Sequence, residues 1–551
     1  MDFVGQFSKE MAFLPEEKLG PFKLAPERPK LVENTLHILG FLPWAKNSST
    51  VPSVTVKKNK MKVDYGRADP TSCEELLILE EATPDEIDEI IAKSLTAQKI
   101  WAKLSGFQRL GYLQSIIHEI ISHINPLIRI LAIEIGMPIS EAKEEMEKAL
   151  DVMAMISEEN CPNFGGRSSV VFETRSFPEG HTMHGCTTET RHLPLGVMGK
   201  LTPWDSPFSS LVMGVFPALA VGNSVILKPH PDATIATFAL VRIMSNAIQN
   251  KTDHSSSKPE GLEHIISAFA LDDWHNIESV INDRRIAFWE ATGSAQMGKM
   301  LSWNVGAEFK RLFLHCGSNN AFIINKDGLF KERKIVEKCA MGAIKGTGQR
   351  HTSVRVVYCH ISRYEDFKKQ IIEFYRDNIV IGDPLLETTN VGPVMHDDGL
   401  NRFEHSLQGY KNGGSKVLYG GNIIFENFVE PTIMESPRIN YPLLEGEVYA
   451  PILHIVKFEE REKDDVIHAI NSSGYGFACS VFTENHAFVH HCIEQIQCGT
   501  VSWNSSIDIF DVRLPYGGEG KSGLTRTLGP EPFRKYTRPV NTIVDRKVQQ
   551  S

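Results

Sequence analysis

The stretch from Pro194 to Thr234, PLGVMGKLTPWDSPFSSLVMGVFPALAVGNSVILKPHPDAT, constrains this chain more than any other, because it reads as one complete βαβ unit. Val197 to Leu201 is a short apolar strand, Pro203 to Pro207 a turn-rich loop, and Ser209 to Val221 is apolar almost all round, as a helix packed on a sheet is. Gly222 and Asn223 supply the left-handed stop such a helix needs. Ser224 to Leu227 is a second strand ending at Lys228-Pro229, and Asp232 can cap a following helix from Ala233 to Ile248. Lys228 then sits at the carboxyl end of a strand, the edge where open parallel sheets bind nucleotides and where a cation suits a phosphate or ribose.

The whole chain has 551 residues, 42% hydrophobic and 23% charged, ordinary values for two or three globular domains. A net charge of -10 gives no electrostatic reason to expect nucleic acid or an anionic membrane as partner. The longest apolar run, Leu211 to Val221, falls short of the roughly 18 residues of a membrane span. The first thirty residues have no apolar core and read as no signal peptide. Nine cysteines without a CxxC pair fit free thiols in a reducing compartment, and the expected location is cytoplasmic.

Residues 1–70 read as an irregular Pro- and Lys-rich arm, with possible strands at Ser53 to Val56 and Met61 to Tyr65. From Asp85 to about Glu159 apolar residues recur at helical spacing and predict a helical layer. Ser168 to His192 alternates polar and apolar around Pro-Glu-Gly, the pattern of a β-hairpin. Arg285 to Trp289 is a further strand, after which Thr292-Gly293-Ser294 opens a helix carrying Gly298. Glycine lets backbone approach a pyrophosphate, and a helix N-terminus offers it N–H groups and partial positive charge. Leu312 to Leu314 and Ala321 to Ile324 are strands flanking a CGSNN turn, and residues 315–510 alternate strands with helices, again α/β.

PWDSPF, PALAVGNSVILKP, TGSAQMG, GTGQRHTS, Gly382 to Pro384 (GDP), GEVYAP, YGFACSVFT and PYGGEGKSG follow one another in an order that resembles the aldehyde dehydrogenase superfamily. The resemblance implies an α/β fold: a Rossmann-like nucleotide domain (71–167 and 193–314), an α/β catalytic-type domain (315–515) and a small β oligomerisation element (168–192 and 535–546). It also implies a homodimer or homotetramer, in which the hairpin pairs with Arg538 to Asp545, a local two-stranded ribbon being the alternative. The implied cofactor is NAD or NADP, and the implied partner an aldehyde or related small molecule. Trp204, Lys228, Gly293, Ser294, Gly298 and Glu447 stand at the nucleotide-binding positions, Glu447 matching the acid on the nicotinamide-side ribose. Many NAD-preferring relatives hold the adenosine-side ribose with a Glu three residues after the Lys; here that residue is Pro231, which permits NADP.

The family oxidises aldehydes by attack of a cysteine thiolate, hydride loss from the adduct, and hydrolysis of the thioester by a carboxylate-activated water. Where relatives read GQxC, this chain has Gly348-Gln349-Arg350-His351, so the nucleophile position is His351. The base position of LELGG is His315, and the Asn of PWN, an oxyanion donor, is Asp205. A carboxylate cannot donate to an oxyanion unless its pKa is raised far above neutral. The three replacements together predict loss of thiol-dependent oxidation. Alternatives are a histidine-based oxidoreductase, with His315 as a base near neutral pH and His351 as nucleophile or base, and a divalent metal bound by His315, His351 and Asp205. Cys316 is conceivable as a displaced nucleophile, although a strand neighbour of His315 points to the opposite face.

Overall fold

Val197–Thr202 is buried along its whole length, as a strand covered on both faces must be, and it lies at the centre of a five-stranded sheet. The order is Ile266–Ala268, Ser224–Pro229, Val197–Thr202, Ile286–Thr292 and Arg311–His315, with every pairing parallel. The computed structural model describes residues 27–41, 65–73, 75–79, 81–157, 170–176, 186–251, 260–271, 274–331, 334–508, 511–529 and 533–545. The possible strand Ser53 to Val56, most of Met61 to Tyr65 and the turn of the predicted hairpin lie outside them.

Helix Pro207–Ala220 is buried at every residue and Thr234–Asn250 at most, so both are core helices of this sheet. The predicted helical layer is Pro84–Trp101, Gly106–Ser122, Ile124–Glu134 and Ile139–Ser157. Its first two helices start where capping boxes, Thr83 with Glu86 and Ser105 with Gln108, satisfy the first N–H groups. The layer is tied down by buried donors: Trp101 Nε1 donates to Leu219 O at 2.8 Å and Arg109 Nε to Ala220 O at 2.8 Å. Gly222 has φ +101°, the left-handed stop read from the sequence.

A second sheet of seven strands runs Lys416–Tyr419, Thr432–Glu435, Ile452–Phe458, Val354–His360, Asn320–Ile324, Ala478–Phe482 and Thr500–Trp503. Only its first pairing is antiparallel. The architecture is therefore α/β with two largely parallel sheets. A third, antiparallel sheet places Cys186–Pro194 between Val170–Ser176 and Thr537–Asp545, with Arg538 opposite Leu193. Among the described residues no single helix is long and apolar enough to cross a membrane.

Two local expectations fail. Arg28–Ile38, in the stretch read as irregular, is a helix; its Arg28 is buried and pairs with Asp69 at 2.6 Å and with Asp383. Asp232 does not cap the helix after it. The side chain of Glu134 reaches from the neighbouring helix instead, accepting the N–H groups of Ile235 and Ala236 at 2.7 Å each.

Candidate functional site

The carboxyl ends of the five-stranded sheet face the amino ends of the seven-stranded one, and the chemistry-bearing residues stand on the facing loops. Asp205 follows Val197–Thr202 and His315 ends Arg311–His315; Ser318, His351 and Glu447 precede Asn320–Ile324, Val354–His360 and Ile452–Phe458. Gly348 lets the His351 loop close, because a Cβ there would lie 2.5 Å from Ala450 O.

His351 and Asp205 are in direct contact. Oδ2 of Asp205 accepts the backbone N–H of His351 at 3.1 Å and its Nδ1–H at 2.9 Å. A carboxylate only accepts, so the ring proton is on Nδ1 and Nε2 receives the hydroxyl of Tyr516 at 2.7 Å. Asp205, His351 and Tyr516 thus form one hydrogen-bonded relay. Burial alone would raise the Asp205 acid, but the contact with His351, the two hydrogen bonds it donates and the nearby Arg350 hold it below the usual carboxylate range. Tyr516 moves upward, through burial and the carboxylates of Asp205, Glu145 and Asp508.

His315 lies across a small cavity of about 30 Å³, bordered also by Ser206, Ser210, Thr292, His351 and Tyr516. Both ring nitrogens are sealed from solvent and have no hydrogen-bond partner among the described residues. Burial and the nearby Lys535 push the ring down to about 3, so His315 is neutral near pH 7 and a far weaker base than the sequence predicts. Behind it, Glu290 is buried between Lys200 at 2.7 Å and Lys535 at 3.1 Å, and accepts from Tyr536 Oη at 2.7 Å. The two lysines hold Glu290 below its ordinary value against the effect of burial.

Cys316 is no displaced nucleophile. Its Sγ rests against Gly298, where a Cβ would come within 2.6 Å, and burial pushes the thiol up to about 12. Gly298 accordingly serves close packing of helix Ala295–Ala307 on the sheet. The metal alternative also fails: both His351 nitrogens are committed, and among the described residues no three His, Cys, Asp or Glu side chains form a group able to hold a metal ion.

Glu447 joins this site. Its carboxyl is seated over Gly317, where a Cβ would lie 1.9 Å from Oε2, and accepts the N–H of Ser318. The Ser318 hydroxyl donates to the carbonyl of His351, which also receives Asn320 Nδ2 at 2.9 Å. Burial raises the Glu447 acid to about 7. Trp204 stands beside this loop, its ring 6.4 Å from that of Tyr449.

Three helices begin at the carboxyl edge of the five-stranded sheet. Pro207–Ala220 has the N–H of Ser209 taken by Glu145 at 2.8 Å, and Thr234–Asn250 is occupied by Glu134. Ala295–Ala307 is capped by its own Ser294, whose Oγ accepts from Met297 N–H at 3.1 Å, with Gly293 just before it. It is the start that no carboxylate from elsewhere caps among the described residues. Lys228 is half-buried on the adjoining edge, and Thr202 Oγ1, ending the central strand, is buried with no partner among the described residues. Tyr516 and Ser318 lie in the PYGGEGKSG and CGSNN stretches, which assign them no role, and the Lys200–Glu290–Lys535 cluster carries no sequence signal, since only the fold brings these residues together around the site.

Sheet order, cleft and facing loops define a two-unit α/β protein with its site where a dinucleotide-type edge meets a second parallel sheet. The aldehyde dehydrogenase family model matches residues 56–542, and the chain belongs to that family. Among relatives, it is 27% identical over 504 residues to aldehyde dehydrogenase family 7 member A1 of Pisum sativum, covering 90% of each chain. It is 26% identical to a putative aldehyde dehydrogenase of Bacillus subtilis, covering 86% of this chain and 90% of that one. Two solved structures show the same fold. Betaine aldehyde dehydrogenase from Staphylococcus aureus, in complex with NAD+, superposes with TM-score 0.81 at 20% identity, over 94% and 98% of the two chains. Glyceraldehyde-3-phosphate dehydrogenase from Methanocaldococcus jannaschii, complexed with NADP, gives 0.78 at 23%, over 89% and 100%.

Proposed function

We propose that this family member binds NAD or NADP in the cleft but does not carry out thiol-dependent aldehyde oxidation, serving as a binding or regulatory protein. The observation that carries the reading is the Asp205–His351 contact: the backbone N–H of residue 351, the donor nearest to any oxyanion formed on that side chain, is filled by the protein's own carboxylate. No thiol substitutes, because Cys316, the one cysteine among the described residues that borders the cavity, is packed on Gly298 as a neutral group.

The residues present fit the cofactor. The helix start at Ser294, the orphaned Thr202 hydroxyl and the seated Glu447 supply polar groups along one edge, with Lys228 adding a cation. When bound, such a cofactor supplies a hydride acceptor; the chain's own groups orient its phosphates and riboses. Small aldehydes or related carbonyl compounds are the ligands that this reading allows beside it. The strand Thr537–Asp545 pairs on one side only among the described strands, which supports a homodimer or homotetramer built through the third sheet.

A second reading keeps an activity: the Asp205–His351–Tyr516 relay ends on a hydroxyl in the cavity and has the form of an acid–base centre. Titrating the protein with NADH and NADPH by fluorescence, beside absorbance assays with NAD, NADP and an aldehyde panel, separates the two. Binding without turnover is the expected result. Turnover that disappears in both His351→Ala and Tyr516→Phe establishes the second reading instead.

A further inference from the structure

Helix Arg28–Ile38 belongs by packing to the unit of the five-stranded sheet. Leu36 and Leu39 share a core with Phe216 and Phe238, and the helix lies against Ile124–Glu134. Its first residue reaches further. The Arg28 guanidinium donates Nε and Nη2 to Asp69 at 3.0 and 2.6 Å, and Nη1 to Asp383 of the other unit. Cation and carboxylates are all buried, so one guanidinium joins two sealed acids from distant parts of the chain. Asp383 is itself fixed: its Oδ1 also accepts the N–H of Leu385 at 3.0 Å, and its carbonyl accepts Thr389 Oγ1 at 2.7 Å. Leu385 is buried in the core of the five-stranded unit. Helix Ile139–Ser157 grips the same turn, with Pro384 O accepting Ile139 N–H at 2.8 Å and Lys143 pairing with Glu387 at 2.6 Å.

This turn leads to the loop that carries His351. The carbonyl of Gly392 accepts Thr347 Oγ1 at 3.1 Å, and Met395 N–H donates to Gln349 Oε1 at 3.0 Å. Gly346, Thr347 and Gly348 have φ of +60°, +54° and +66°. Glycine adopts such values freely, but a buried β-branched residue keeps them only where its surroundings over-determine it. Four residues after Thr347, His351 donates its N–H to Asp205. We propose that helix Arg28–Ile38 is a strap: Arg28 bolts residues 383–395 to the five-stranded unit, and through Thr347 and Gln349 that segment holds His351 against Asp205. Arg28 is thus a positioning residue, acting on the site from outside it. Lifting the helix lets the strained Thr347 relax, which gives the loop a second arrangement in which Asp205 no longer holds the His351 N–H. The inference goes beyond the cofactor reading and stands or falls without it.

The test is hydrogen exchange with mass spectrometry on the full-length natural protein, Arg28→Met, Arg28→Lys and Asp383→Asn. Arg28→Met removes the cation and leaves two buried carboxylates to repel each other. Asp383→Asn leaves the Arg28 pair with Asp69 whole, so it loosens the tie between the units without unseating the helix. In both, exchange about tenfold faster or more is expected across residues 383–395 and at the His351 amide, with the central strand Val197–Thr202 unchanged. Arg28→Lys keeps the charge without the planar fork and is expected to fall between. Faster exchange confined to residues 28–41 and 65–73, with the His351 amide as in the natural protein, overturns the proposal. Loosening shared equally by the central strand also overturns it, because that marks general destabilisation. If Arg28→Met does not fold, Asp383→Asn alone decides.

Discussion

At the residue scale, Asp205 differs by one group from the amide that the resemblance places at this position, and that group inverts the local electrostatics. An amide would donate into the space beside residue 351; the carboxylate accepts there and draws in the N–H and Nδ1–H of His351, which takes that N–H away from a developing anion. Glu290 shows the same logic in a structural role. It stands between two buried lysines, so Glu290→Ala leaves both unpaired and is expected to cost about 3–5 kcal/mol, measured by chemical denaturation. Glu447 makes a prediction about pH. Its acid is raised to about 7 in the fold, against about 4.3 in an unfolded chain, so the fold favours its neutral form. The stability this contributes is complete below about pH 4 and is lost as pH rises through 7. Glu447→Gln is therefore expected to gain on the natural protein by about 2 kcal/mol between pH 5 and pH 8, read from melting curves across that range.

At the scale of elements, most of what the sequence reveals is periodicity and punctuation. Val197–Thr202, Pro207–Ala220 and Ser224–Pro229 fall close to their predicted bounds because apolar runs and the Gly222-Asn223 stop are local signals. Arg28–Ile38 escapes because it has few apolar residues and is anchored by Arg28 to Asp69 and Asp383, a pairing across 355 residues of chain in the second case. The start of Thr234–Asn250 is misread for the same reason. Asp232 is the obvious local cap, whereas the carboxylate that caps the helix comes from Glu134, about a hundred residues earlier. Glu134→Ala leaves two buried N–H groups without an acceptor, and a loss of about 2–4 kcal/mol is expected. Hydrogen exchange at the Ile235 and Ala236 amides reads it directly: their protection falls while that of the central strand is kept.

At the scale of the molecule, the candidate site lies in the seam between two largely parallel sheets. The positions 205, 315, 351 and 447 are legible in the sequence because they sit inside motifs whose order the family shares. What they do to one another is not. The seating of Glu447 on Gly317, the Tyr516 end of the relay and the removal of His315 from useful basicity all depend on burial and on partners distant in sequence. They require the two sheets to be brought edge to edge. The account's central claim is that this seam keeps the cofactor cleft while its own carboxylate and two imidazoles replace the thioester machinery. The measurement that tests it most directly is NAD(P)H formation by the natural protein beside the Asp205→Asn/His351→Cys double variant, with mass spectrometry of the intact chain for a covalent acyl group. The account predicts silence from the natural protein, and from the double variant about one equivalent of NAD(P)H per chain with an acyl adduct that persists, because neutral His315 is too weak a base to activate water against it. Steady NAD(P)H formation by the natural protein, abolished by His351→Ala, would contradict it.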